Sequence, residues 1–193
     1  EVVDATNHLI DHPNASSEDL MQFVQGPDFP TGGIIYNKKE IIEAYSSGRG
    51  KITVRGVAEV DEKKIVISEI PYQVNKAELI IKIAELVTEK RIEGIKDLRD
   101  ESDRDGLRIA IDLKSDAVPQ KVLNQLYNFT DLQKDFHLNM LALADGLKPK
   151  VMSLKDVLAS FITHREEVVR RRAEFDLKKA RERGHILEGL AKA

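Results

Sequence analysis

Residues 51–70 read KITVRGVAEVDEKKIVISEI, and their period is two. Ile52, Val54, Gly56, Ala58 and Val60 fall on one side, and Lys51, Thr53, Arg55 and Glu59 on the other. That is the spacing of a strand with one face buried. Asp61-Glu62 supplies a turn, and Lys64 to Ile70 form a second strand that Pro71 stops. The chain is therefore built on a sheet, and the flanking patterns decide what covers it.

Downstream, Asn75-Lys76-Ala77-Glu78 has the form of a capping box. Leu79, Ile80, Ile83, Leu86 and Val87 then share one helical stripe, with Gly94 as its close. Leu107, Ile109, Ile111 and Leu113 alternate with Arg108, Ala110 and Asp112, the clearest strand in the chain. A helix follows with Pro119 in its first turn and Val122, Leu123, Leu126 and Tyr127 on one face. Phe136 to Leu143 alternates again before the turn signal Asp145-Gly146, with a final strand near Lys150. The order strand, strand, helix, strand, helix, strand predicts an α+β fold. Its form is a two-layer sandwich with helices on one face of a largely antiparallel sheet.

Upstream, Val2 to Ile10 and Ser17 to Val24 read as short helices separated by His12-Pro13-Asn14, the second capped at Ser16 or Ser17. Gly26 to Gly33 (GPDFPTGG) is a loop by composition. A helix over Lys38 to Tyr45 ends at Ser46-Ser47-Gly48-Arg49-Gly50. At the other end, Ser153-Leu154-Lys155-Asp156 caps an apolar recurrence from Leu154 to Leu190 that no proline interrupts. At roughly 40 residues it exceeds a usual globular helix and must protrude toward a partner. Gly184 and Gly189 predict a bend or break in it. The expected organisation is an N-terminal helical segment (1–50), the sandwich (51–152) and the long helix (153–193). The chain opens at Glu1 inside one helical pattern, without Met, and stops at Ala193 inside another, so both ends read as cuts.

The 193 residues contain no Cys, which excludes a disulfide framework, Cys-ligated metal and a thiol nucleophile, and fits a reducing compartment. No apolar run is long enough to span a bilayer, and no signal peptide opens the chain. The net charge of −3 does not advertise a nucleic-acid binder, but distribution matters more than the total. No acid lies between Glu43 and Glu59, where Arg49, Lys51 and Arg55 are all basic.

Gly48-Arg49-Gly50-Lys51 invites a phosphate-loop reading, which fails because Tyr45 and Ile52 stand where Gly and Ser/Thr are needed. Two readings fit: a helix-to-strand turn with solvated cations, or a strand edge whose Arg49, Lys51 and Arg55 follow DNA phosphates without reading sequence. Glu101-Ser-Asp-Arg-Asp-Gly106 with Asp112 imitates calcium-loop spacing. It starts with Glu, lacks flanking helices and interleaves Arg99, Arg104 and Arg108, which favours a salt-bridged turn. The five histidines make no helical metal pair, and no Gly-x-Ser-x-Gly elbow occurs. From Arg165 to Arg183 cations alternate with acids, the pattern of a solvated helix laced with i,i+4 pairs.

Seven strings go further: Gly26–Gly33, Gly48–Lys51, Glu69-Ile-Pro-Tyr-Gln-Val-Asn-Lys-Ala77, Leu98-Arg-Asp-Glu-Ser-Asp-Arg-Asp-Gly106, Asn139-Met-Leu-Ala142, His164-Arg-Glu-Glu-Val168 and His185-Ile-Leu-Glu-Gly189. In this order they resemble the DNA gyrase A subunit, which cleaves and religates DNA in a bacterial type II topoisomerase, over essentially the whole chain. The sister enzyme topoisomerase IV shares most of them, while Gln73–Ala77 is closer to gyrase.

The resemblance implies the tower domain and the first long helix of the coiled coil that leads to the exit gate. It implies a parent that breaks both strands of one duplex through a tyrosyl–DNA bond, passes another through and reseals the break. The family's nucleophilic Tyr follows an Arg; none of Tyr36, Tyr45, Tyr72 or Tyr127 does, so no catalytic residue is expected here. Nor is a metal or cofactor site: Mg2+ and ATP would be handled by segments or subunits outside this chain. The implied partners are double-stranded DNA, the gyrase B subunit, and a second full-length copy through the exit gate. The implied setting is the bacterial cytoplasm, on the chromosome, with no membrane. Arg49, Lys51, Arg55 and Lys76, the last at a helix N-terminus, are the candidate phosphate contacts. A pure scaffold without DNA contact and a small-molecule enzyme are the competing classes.

Overall fold

The computed structural model of the chain describes residues 1–104, 106–144 and 148–192. The turn expected at Asp145-Gly146, Asp105 of the acidic loop and the terminal Ala193 lie outside the described residues. The elements are α1 (Val2–Asp11), α2 (Ser17–Leu20), β1 (Ile34–Ile35), α3 (Lys38–Ser47), β2 (Arg49–Arg55), β3 (Ala58–Val60), β4 (Lys64–Ile67), α4 (Lys76–Thr88), β5 (Ile95–Asp100), β6 (Ile109–Leu113), α5 (Pro119–Phe129), β7 (Gln133–Asn139), β8 (Leu141–Ala144), β9 (Lys148–Val151) and α6 (Leu154–Lys192). The class is α+β, and every paired strand among the described residues is antiparallel.

The single expected sheet is divided into a three-stranded sheet β1-β2-β7, a four-stranded sheet β3-β4-β6-β5 and a β8-β9 hairpin. The division falls inside the opening stretch. Ile52 and Val54 are buried under α3, while Gly56 donates its N–H to the Leu132 carbonyl at 2.8 Å and Val57 to that of Glu69 at 3.0 Å. The chain thus crosses from one sheet to the other at Gly56-Val57 with its alternation intact.

Two apolar cores result. In one, Ile65, Ile67, Ile109, Ile111 and Leu113 of the four-stranded sheet pack against Leu79, Ile83 and Leu86 of α4 and Val122, Leu123 and Leu126 of α5. This is the expected two-layer sandwich. In the other, α1, α2, α3 and the first turns of α6 cover the inner face of β2, joining Ala5, Leu9, Leu20, Ile41, Ala44, Ile52, Val54, Leu154 and Leu158. An aromatic group of Phe29, Tyr72 and Phe136 lies beside β7, with Phe29 stacked 5.5 Å from Tyr72 and edge-on 5.0 Å from Phe136.

Several expected boundaries move for local reasons. α2 stops at Leu20 because the next N–H groups close tight turns, Phe23 and Val24 both donating to the Leu20 carbonyl. α4 ends at Thr88 rather than at Gly94; Arg91 and Ile92 both donate to the Leu86 carbonyl and fold the chain back earlier. The turn that the acidic pattern predicts follows β5, with the Asp103 N–H donating to the Gly106 carbonyl at 3.2 Å. β5 itself is an edge strand absent from the expected order, whose charged side chains suit an exposed sheet edge. The expected ion pairs are present around it: Arg99 meets Asp97 and Asp112 at 2.8 Å and Glu101 at 3.3 Å, and Arg108 meets Glu101 at 3.1 Å.

α6 is capped as its sequence predicts: Asp156 N–H donates to Ser153 Oγ at 3.1 Å, and Ser153 N–H to the Asp156 carboxylate at 3.2 Å. It then runs 39 residues, passing Gly184 and Gly189 without a break. Beyond its first turns it is largely exposed, leaving Phe161, Val169, Phe175, Leu187 and Leu190 open to solvent.

Candidate nucleic-acid interface

The glycines of Gly48-Arg49-Gly50-Lys51 serve packing. Gly48 ends α3 in the left-handed conformation (φ 74°), and a Cβ there would run into the Met152 carbonyl. A Cβ on Gly50 would stand 2.6 Å from that of Ala44, so glycine lets α3 lie close on β2. Arg49, between them, is held on the outer face of the sheet, exposed.

Arg49, Lys51, Thr53 and Arg55 occupy alternate positions of β2, opposite Asn139, His137, Asp135 and Gln133 of β7. This makes one polar sheet face. Its cations differ in how far they are committed within the chain. Among the described residues, the Arg49 guanidinium donates only to the neutral Asn139 side-chain oxygen, at 3.2 Å. Lys51 Nζ stands 3.3 Å from Asp135 and 3.9 Å from Glu40, yet half of its side chain stays exposed. Arg55 donates to Gln133 at 2.6 Å, and its guanidinium lies 4.0 Å from the Tyr36 ring centre and 4.8 Å from that of Tyr127. Lys76 lies apart, at the start of α4, with Nζ 2.7 Å from Asp100. The strand therefore brings three of the four candidates together and leaves the fourth on the sandwich.

Beside the Arg49 end of this ladder lies a source of cations that sequence reasoning missed. Met140 N–H donates to the Gly48 carbonyl at 2.8 Å and Met152 N–H to that of Met140 at 3.0 Å, so the β8-β9 hairpin abuts the Arg49 end of the β2-β7 ladder. Lys148 and Lys150 are exposed alternate positions on β9, and neither makes an ion pair among the described residues. The signal was Lys148-Pro149-Lys150 itself, two cations at strand spacing.

A model of the family of DNA gyrase/topoisomerase IV A subunits matches residues 1–193. The chain belongs to this family. It is 56% identical over 195 residues to the DNA gyrase A subunit of Clostridium acetobutylicum, covering 98% of this chain and 23% of that protein. To the Escherichia coli gyrase A subunit it is 55% identical over 199 residues, covering 100% and 23%. To that of Pseudomonas aeruginosa it is 54% identical over 200 residues, covering 100% and 22%. The chain thus spans a little under a quarter of the length of these relatives.

Each of the four tyrosines makes a contact within the chain, and Tyr36 is the most exposed of them. Tyr45 is buried in the α1–α3 core, and the Tyr127 hydroxyl donates to the Gly56 carbonyl at 3.1 Å. Burial raises the pKa of both phenols, against the pull of Arg55 in the case of Tyr127. Tyr72 stacks on Phe29, and Tyr36 covers Arg55.

Proposed function

We propose that this segment supports one arm of a DNA duplex that the full-length protein, a DNA gyrase A subunit, cleaves and reseals. Residues 51–152 serve as the tower, residues 1–50 join it to the DNA-cleaving part, and residues 153–193 act as a lever toward a dimer exit gate. The observation that carries the reading is the Arg49 end of the β2-β7 ladder together with the β8-β9 hairpin that abuts it. There Arg49, Lys148 and Lys150 are exposed and, among the described residues, make no ion pair, the condition for neutralising phosphates in a sequence-independent way. Lys51 reinforces that edge. Arg55 and Lys76, enclosed by rings and a carboxylate, shape the surface.

The full-length protein is on this reading part of an ATP-dependent type II topoisomerase in the bacterial cytoplasm, working on the chromosome with the gyrase B subunit and a second copy of itself. Mg2+ and ATP are bound by segments or subunits other than this one. The apolar groove lined by Val3 and Ile10 of α1 with Phe161 and Val169 of α6 supports a further helical partner for α6. The buried Tyr45 and the half-buried Tyr127 support a chain that is inert by itself.

The internal pairing of Lys51 and Lys76 favours a second reading, a scaffold without DNA contact. Fluorescence anisotropy of a labelled duplex with the full-length protein separates the two. Arg49→Ala should weaken binding for any sequence; unchanged affinity with impaired strand passage would leave only the scaffold. A relaxation assay on residues 1–193 alone should show no activity.

A further inference from the structure

The end of α4 and the start of α5 enclose a second cationic feature, on the sandwich and outside the polar sheet face. They frame a cleft of about 660 Å³ whose rim carries Lys90, Arg91, Lys114 and Lys121, against the two carboxylates of Glu93 and Asp116. None of the four cations makes an ion pair among the described residues; Arg91 only covers the Phe129 ring, at 5.1 Å. Among the described residues elsewhere on the sandwich, Lys64, Lys76, Lys82, Arg99 and Arg108 make ion pairs, whereas Lys63 and Lys96 do not. Gathering four such cations around one concavity, against two carboxylates, gives its rim a net positive charge.

Lys90 has φ 58°, the left-handed residue that ends α4, and the Arg91 and Ile92 N–H groups closing on the Leu86 carbonyl fix Lys90 and Arg91 at the rim. The volume lies within the range of small-ligand sites, but a rim of ammonium and guanidinium groups selects for charge. Lysines meet phosphate as point charges and arginine as a fork.

We propose that this cleft binds a short run of phosphate groups, presented by the backbone of duplex DNA or by a free oligophosphate. The first source rests on the function proposed above; the second does not. The test uses the full-length protein, with tripolyphosphate titrated calorimetrically and duplex affinity measured against salt. Wild type is compared with Lys90→Ala/Arg91→Ala/Lys114→Ala/Lys121→Ala, with Lys114→Ala/Lys121→Ala as a milder variant, and with Arg49→Ala/Lys148→Ala/Lys150→Ala in parallel. All four rim side chains are exposed, so the folding of the variants is checked by an unchanged thermal midpoint.

A tenfold or greater loss of tripolyphosphate affinity in the rim variants assigns the cleft to a free oligophosphate. A fall of about 2 or more in the log–log salt slope for duplex binding assigns it to the DNA backbone. If the rim variants move neither quantity, the cleft does not bind phosphate and the inference is overturned. A change confined to the rim variants leaves the cleft standing while the sheet-edge reading fails, and a change confined to the sheet-edge variant does the reverse.

Discussion

Lys76 Nζ stands 2.7 Å from Asp100 Oδ2, tying the first residue of α4 to the edge strand of the four-stranded sheet. With Ser102 also donating to it, this contact holds the Asp100 carboxyl down to about 2. A depressed carboxyl pKa contributes stability that is present above the unfolded-state value near 4 and lost as pH falls toward 2. An NMR titration of the Asp100 side chain should therefore show a midpoint near 2 in the wild type. Lys76→Ala should raise it and remove part of the acid-dependent stability between about pH 4 and 2. An unchanged midpoint would mean that the ammonium does not set it.

The loop Gly26–Gly33 is held to the sandwich by one charged acceptor: Gly33 N–H donates to the Glu69 carboxylate at 2.6 Å, partly buried. Glu69→Ala leaves that N–H without its partner, which costs about 1–3 kcal/mol. Urea unfolding should show a lower midpoint at unchanged slope. A midpoint equal to that of the wild type would show the loop to be held elsewhere.

Gly48→Ala places a Cβ against the Met152 carbonyl at φ 74°. The expected loss is about 2 kcal/mol or more, beyond the usual glycine-to-alanine effect, because both conformation and space oppose the methyl. Thermal unfolding measures it, and a neutral or stabilising result would contradict the close approach of the α3 end to Met152.

Gly184→Ala should act in the opposite direction. Gly184 sits within α6, and a Cβ there meets nothing within 4 Å. Alanine should raise helix content and stabilise α6 locally by roughly 1 kcal/mol, read by circular dichroism and hydrogen exchange in that helix. Lower helicity would indicate that the glycine is needed for a bend.

The sandwich and the long helix were legible because their patterns are periodic over many residues. The Leu79–Val87 stripe, the Leu107–Leu113 alternation and the Ser153–Asp156 cap each appear where spacing puts them. The passage between sheets at Gly56 was not legible. Val54 and Ala58 share a parity, and either core satisfies it, so alternation is silent about which sheet each residue joins. β5 was hidden by its charges, since Ile95 and Leu98 are too few to mark a strand. Arg49, Lys51 and Arg55 could be placed on one face from the sequence. Their different commitments could not, because Asp135, Gln133 and Tyr127 lie far along the chain and meet β2 only in the folded protein.

On the function proposed above, the Arg49 end of the β2-β7 ladder and the adjoining β8-β9 hairpin carry DNA through its phosphates. The most direct measurement is the salt dependence of duplex binding by the full-length protein bearing Arg49→Ala/Lys148→Ala/Lys150→Ala. Removing three phosphate contacts should reduce the log–log slope by about 2–3, uniformly across sequences, while Arg55→Gln leaves it unchanged. A triple variant with the wild-type slope would contradict the account.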